Sequence, residues 1–138
     1  MRVVLAALVL MAGLVDLIIV GSFLVTPHDS AELARAAHGL SIIRAHCTSF
    51  FSVAALAMIA GVLWRNGDLL LVPTFIFIGA LVERLVNFVA FGPYPEWLLP
   101  MALDVAHIAL LLAARRAFRQ ANEDEAAAPA TPHRANLA

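Results

Sequence analysis

The chain has 138 residues, of which 62% are hydrophobic and only 14% are charged. A soluble globular domain is about half apolar and about a quarter charged, so this composition predicts one domain that is solvated by lipid. The formal net charge of −1 gives no basic surface of the kind that binds nucleic acid. The single cysteine, Cys47, excludes an intrachain disulfide and a thiolate metal site.

Four apolar segments are long enough to cross a bilayer as helices, which takes about twenty residues. We predict an all-α integral membrane protein, an up-down bundle with helices at about 3–25, 38–64, 69–91 and 97–115. Residues 1–119 form the transmembrane domain in this prediction, and 120–138 form a disordered cytoplasmic tail. A cleaved signal peptide is the alternative for the first helix, but that segment is too long and contains Asp16.

The arginines at the helix ends predict the orientation, because cytoplasmic loops carry the excess of positive charge. One end of the bundle has Arg2, Arg65, Arg115, Arg116 and Arg119, and the other has only Arg35, next to acidic residues. We therefore predict that the protein lies in the bacterial inner (cytoplasmic) membrane with both termini in the cytoplasm.

Polar side chains occur inside all four apolar segments. They are Asp16, Arg44, His46, Glu83, Arg84, Asn87, Asp104 and His107. At 1.5 Å rise per residue, the charged groups lie roughly 9–13 Å below the outer face, which predicts one shared layer. An isolated charge at this depth costs at least about 2.5–3.5 kcal/mol, so these groups must pair or reach water.

The formal charges of this layer do not cancel. Three acids, Asp16, Glu83 and Asp104, face two arginines, Arg44 and Arg84. One added proton on a histidine or on an acid would make the layer neutral, so we expect at least one displaced pKa. A neutral acid beside an arginine-bound carboxylate can donate and recover a proton.

Three short motifs and one acid resemble an uncharacterised bacterial family of small four-helix membrane proteins in the DoxX-like group. They are Ile43-Arg44-Ala45, Glu83-Arg84-Leu85, Phe91-Gly92-Pro93 and Asp104. The resemblance covers the last three helices and implies a four-helix bundle with an intramembrane arginine–carboxylate cluster. Some relatives are linked to quinone or thiol redox systems. This chain departs from the pattern in having Asp104 where a longer Glu is expected, in its histidines, and in lacking a second cysteine.

The first functional hypothesis is that the protein binds a lipophilic small molecule, such as a quinone, isoprenoid or sterol-like compound, and isomerises or cyclises it. The candidate catalytic residues are Asp16, Glu83, Asp104, His46 and His107, and the candidate substrate-binding residues are Arg44, Arg84 and Asn87. Acid–base chemistry of this kind needs no cofactor.

Two alternatives compete with this hypothesis. In the first, the protein is an accessory subunit whose polar layer only fixes helix register and whose arginine-rich helix end contacts a membrane protein partner or anionic lipid. In the second, the protein is a proton or ion pathway. This alternative is weaker, because the cytoplasmic half of the bundle is apolar and offers no polar path across the membrane. A metal site is not predicted, because His38 lies about 12 Å along the helix from His46.

Overall fold

The computed structural model describes residues 1–25, 37–93 and 97–127, and the side chains of residues 22–47 lie outside that description. The described chain is helical, as predicted. The long helices are α1 (Arg2–Val25), α2 (Ala37–Leu63), α3 (Leu71–Phe91) and α4 (Leu98–Ala127), and a 3-10 helix, Gly67–Leu70, precedes α3.

The four long helices pack as a closed ring. Each helix packs on the next one along the chain, and α4 returns to pack on α1, whereas no described Cα atoms approach within 8 Å across either diagonal. The start of α1 lies beside the end of α4, where Arg2 Nη2 donates to Asp124 Oδ2 at 2.9 Å. At the same end, Arg115 Nη2 donates to Asp68 Oδ1 at 3.1 Å. We call this end, which carries Arg2, Arg65 and Arg115, the arginine end.

Among the described side chains, the cluster of buried hydrophobic residues that forms the hydrophobic core lies in the half of the ring nearer the arginine end. Its buried residues are Val9, Ala54, Met58, Leu70, Phe77, Leu111, Ala114 and Phe118. Helices α1 and α2 approach closely at Gly13, where a Cβ atom would lie 3.3 Å from the carbonyl oxygen of Ala55. Small residues permit such close packing between helices.

The outer surface of the ring is apolar. Large hydrophobic side chains such as Val3, Phe75 and Val89 are 66–83% exposed, whereas Asp16 and Asp104 are at most 6% exposed. Soluble proteins rarely expose a contiguous apolar surface larger than a few hundred Å². The buried acids and the bare apolar exterior are therefore consistent with insertion into a membrane.

Three helical segments are long and apolar enough to cross a membrane. They are Arg2–Gly21, Gly67–Phe91 and Leu98–Ala127, and a shorter apolar stretch, Thr48–Leu63, covers the described part of α2. Part of α2 thus falls in the range whose side chains are not described. By length and composition, the described chain supports three of the four predicted spans.

The connection between α2 and α3 is a tight turn at the arginine end. The amide of Asn66 donates to the Gly61 carbonyl at 2.9 Å, and that of Arg65 donates to the Val62 carbonyl at 3.2 Å. These two bonds form a Schellman motif, which ends a helix with a residue in the left-handed conformation. The Asn66 side chain then accepts from the Asp68 amide and starts the 3-10 helix, which moves the start of α3 from the predicted 69 to Leu71.

The predicted end of the fourth helix at residue 115 is wrong, because α4 continues to Ala127. Residues 120–127 are helical and not part of a disordered tail, whereas 128–138 lie outside the described residues. Two contacts explain the extension. Ala117 and Phe118 are buried against the bundle, and Asp124 forms the ion pair with Arg2.

Candidate functional site

An ion pair joins α3 to α4 beyond the hydrophobic core. Arg84 Nε donates to Asp104 Oδ2 at 2.9 Å, and the Asp104 side chain is 9% exposed whereas that of Arg84 is 35% exposed. Both residues were predicted to belong to the polar layer, and the structure brings them together. The pair neutralises two charges that would otherwise be costly between packed helices.

The contact uses only one edge of the Arg84 guanidinium. A guanidinium has five N–H donors, and the Asp104 carboxylate accepts from Nε alone. The described residues include no hydrogen-bond acceptor for the two terminal amino groups of Arg84. These groups can therefore donate to an oxygen atom of a ligand.

A cavity of about 500 Å³ adjoins this ion pair. It lies between α2 and α3, and α4 contributes Asp104. Its lining residues are Phe50, Phe51, Phe75, Ile76, Phe77, Gly79, Ala80, Glu83, Arg84 and Asp104. Phe50 and Phe75 are more than half exposed, so the cavity opens sideways between α2 and α3. An apolar aromatic chamber with a few polar groups at one side is typical of a small-molecule site.

His107 lies one turn along α4 from Asp104 and is held in a fixed position. Its ring stacks on Phe77 with the ring centroids 4.3 Å apart, and its Nδ1 lies 2.9 Å from the Leu103 carbonyl oxygen. A carbonyl only accepts hydrogen bonds, so Nδ1 carries a proton and donates it. Nε2 is left as the atom that can gain or lose a proton.

Asp16 extends this polar set to α1. Its side chain is 2% exposed, and its Oδ2 atom accepts no hydrogen bond within the described structure. The carboxyl group is close enough to His107 for an electrostatic interaction, and His107 interacts in the same way with Asp104. Ionisable groups of three helices therefore form a series, in which His107 lies between Asp16 and Asp104, and Asp104 is bonded to Arg84.

The predicted site residues divide into three groups. Glu83, Arg84 and Asp104 line the cavity, whereas Asp16 and His107 lie outside its lining. Asn87, one turn beyond Glu83, is exposed and is not part of the lining. The side chains of Arg44 and His46 lie outside the described residues.

The aromatic wall is the part of the site that the sequence did not predict. Phe50, Phe51, Phe75 and Phe77 are not among the predicted site residues. All four line the cavity. The sequence does show these aromatic residues close together on two consecutive helices. Whether they face each other depends on how the helices pack, which the sequence does not reveal.

The fold and this site define a helical protein with an apolar exterior and a polar cluster between its helices. Among the described residues, no group of three or more His, Cys, Asp or Glu side chains is arranged to hold a metal ion. Comparison with known protein families, with curated proteins and with solved structures gives no match for this chain.

Proposed function

We propose that this chain is an integral protein of the bacterial inner membrane, a four-helix bundle of the DoxX-like kind, that binds a lipophilic small molecule and rearranges it by acid–base chemistry. Both termini lie in the cytoplasm in this proposal, so the arginine end faces the cytoplasm. The apolar exterior and the three long apolar segments support membrane insertion. The clustering of Arg2, Arg65 and Arg115 at one end supports the orientation.

The observation that carries the functional proposal is the sideways-open aromatic cavity with Arg84, Asp104 and Glu83 in its lining. Its volume of about 500 Å³ falls within the roughly 300–1,000 Å³ of ligand pockets. A quinone, isoprenoid or sterol-like molecule enters from the lipid between α2 and α3. Its hydrocarbon part packs on Phe50 and Phe75, and its oxygen accepts a hydrogen bond from the terminal amino groups of Arg84.

The two carboxyl groups of the cavity have different surroundings, which is the arrangement that acid–base pairs use. Asp104 is buried and bonded to Arg84, whereas Glu83 is exposed at the cavity and forms no ion pair with any described residue. One carboxylate takes a proton from a carbon of the ligand while the other carboxylic acid returns a proton to a second carbon. A double bond moves, the ligand keeps its composition, and no cofactor is consumed.

Asp16 and His107 relay protons to the site in this proposal, although neither lines the cavity. His107 contacts Phe77 of the cavity wall and interacts electrostatically with Asp16 and Asp104. A turnover leaves one of the two cavity carboxyl groups with an added proton and the other without its proton. Nε2 of His107 exchanges a proton with Asp104, and the exposed Glu83 exchanges its proton with water at the cavity opening, so both groups return to their starting states.

The test uses the fact that isomerisation and cyclisation leave the mass of the ligand unchanged. Lipid extracts of cells that express the wild type or Glu83→Gln are separated by chromatography and analysed by mass spectrometry. We expect a pair of species with equal mass whose ratio reverses in Glu83→Gln. Extracts that are identical for the wild type, Glu83→Gln and cells without the protein would contradict the catalytic proposal.

The accessory-subunit alternative predicts a different pattern. If the polar layer only fixes helix register, Asp104→Asn weakens the bundle and Glu83→Gln changes nothing. A protein partner would then be retained by the wild type in mild detergent. Retention of such a partner together with unchanged extracts favours the alternative.

A further inference from the structure

A second cavity lies at the arginine end, on the opposite side of the hydrophobic core from the ion pair of α3 and α4. Its volume is about 320 Å³, and it lies between the start of α1, the end of α2 and the last turns of α4. The apolar part of its lining includes Val3, Val62 and Phe118, and the charged part consists of Arg2, Arg65 and Glu125. Nothing in the proposed chemistry uses this cavity.

Two of the three charged residues lack a partner within the described chain. Arg2 is bonded to Asp124. No described residue forms an ion pair or a side-chain hydrogen bond with the guanidinium of Arg65 or with the carboxylate of Glu125. Arg65 and Glu125 are therefore the cation and the anion of the lining that have no charged partner among the described residues.

The backbone of Arg65 adds an independent observation. Arg65 has φ of +50°, the left-handed conformation that costs a residue with a Cβ atom about 1–2 kcal/mol. Glycine usually occupies this position of a Schellman motif. The chain places an arginine there instead, next to the exposed Trp64. The left-handed conformation serves the Schellman motif, and the arginine in place of glycine puts a guanidinium at the cavity at a small cost in stability.

We propose that this cavity binds the headgroup of a zwitterionic phospholipid with a primary ammonium group, such as phosphatidylethanolamine. The Arg65 guanidinium donates to the phosphate, and the Glu125 carboxylate accepts from the ammonium. The glycerol part packs on Val62 and Phe118. This proposal depends on membrane insertion, but not on the ligand or chemistry of the aromatic cavity.

The charges select this headgroup over other lipids. An anionic lipid such as phosphatidylglycerol would bring its negative charge next to Glu125 without offering it a cation. A trimethylammonium headgroup has the cation but no N–H to donate, so it forms no hydrogen bond with the carboxylate. Charge-assisted hydrogen bonds are about twice as strong as neutral ones, which gives the primary ammonium the advantage.

The test is native mass spectrometry of the full chain, purified in mild detergent and mixed with equal amounts of the three lipids with identical acyl chains. We expect one molecule of phosphatidylethanolamine to be retained, with about a tenfold preference over the other two lipids. Glu125→Gln should remove the preference while the phosphate contact remains. Equal retention of all three lipids by the wild type would overturn the proposal.

The variant Arg65→Gly distinguishes an effect on lipid binding from an effect on the stability of the fold. Glycine suits the left-handed position, so this variant should resist unfolding better than the wild type and yet lose about tenfold in lipid retention. Arg116→Gln is the matched control, because Arg116 is an exposed arginine of α4 outside the cavity lining, and it should retain the lipid. Equal losses for Arg65→Gly and Arg116→Gln would show attraction by general charge and contradict the proposal.

A soluble competitor distinguishes a lipid from a free phosphate compound. Glycerophosphoethanolamine, which keeps the phosphodiester and the primary ammonium of the lipid without its acyl chains, should leave the bound lipid in place at millimolar concentration. If glycerophosphoethanolamine displaces the lipid and is itself retained, the site takes a soluble ligand and the assignment to a lipid is wrong.

Discussion

The Arg84–Asp104 contact places a cation and an anion between two helices whose other facing residues are mostly apolar. The sequence predicted both residues as members of a polar layer, because isolated charges at that depth must find partners. It did not predict which acid Arg84 would choose. Glu83 is adjacent in sequence, but consecutive residues on a helix point in different directions, and the partner is Asp104 of α4.

Asp104→Asn should weaken the bundle. The substitution keeps the shape of the side chain and leaves the Arg84 cation without its anion, so we expect a loss of about 1.5–3 kcal/mol in the free energy of unfolding. Titration of the folded protein with a denaturing detergent in mixed micelles measures this loss. A double-mutant cycle with Arg84→Gln isolates the pair, and a coupling energy near zero would show that the contact is not energetically important.

Glu83→Gln should leave the fold unchanged while it abolishes the proposed rearrangement of the ligand. Glu83 is exposed and has no ion pair within the described structure, so its substitution should change the free energy of unfolding by less than about 0.5 kcal/mol. The same detergent titration checks this expectation. A loss as large as that of Asp104→Asn would assign Glu83 a structural role.

At the level of helices, two glycines have opposite surroundings. A Cβ atom at Gly13 of α1 would meet Ala55, Met58 and Ile59 of α2 at 3.3–3.4 Å, whereas a Cβ atom at Gly79 of α3 would have no described atom within 4 Å. Gly13 therefore belongs to a helix interface. Gly79 leaves space in the lining of the aromatic cavity.

Gly13→Leu should separate α1 from α2. Overpacking of this kind costs about 1–3 kcal/mol, and the detergent titration should show an easier unfolding. Gly21→Leu is the control on the same helix, because a Cβ atom at Gly21 has no described neighbour within 4 Å. If both variants unfold alike, the close packing at Gly13 does not contribute to stability.

Helix positions were largely predictable from the sequence, because long apolar runs and their Gly and Pro boundaries are local signals. Gly92 illustrates this, since its φ of +80° follows the last residue of α3, Phe91, where the predicted helix also ends. The end of α4 was not predictable in this way. Its last turns are polar, and they remain helical through packing of Phe118 and the ion pair of Asp124 with Arg2, two residues more than 120 positions apart.

At the level of the whole molecule, the sequence predicted a shared polar layer from depth alone. The structure pairs Arg84 with Asp104 and places His107 where it interacts electrostatically with both Asp104 and Asp16. The contributions predicted for Arg44 and His46 of α2 lie outside the described side chains and stay predictions. The aromatic cavity was not predictable, because it depends on how α2 and α3 are rotated about their axes.

The proposed orientation predicts the location of the C-terminus. A fluorescent reporter that matures only in the cytoplasm, fused after Ala138, should give a bright signal in intact cells. A reporter that is active only outside the cytoplasm, fused at the same position, should stay inactive. The reverse pattern would place the arginine end outside and contradict the positive-inside argument.

The central claim is that a lipophilic molecule occupies the aromatic cavity beside Arg84, and its most direct test is mass spectrometry of small molecules that co-purify with the protein. Gly79→Leu should fill the cavity without disturbing the fold, and Arg84→Ala should remove the donors for the ligand oxygen. We predict a compound that is present with the wild type and with Gly21→Leu and absent from Gly79→Leu and Arg84→Ala. A compound retained equally by all four proteins, or by none of them, would contradict the claim.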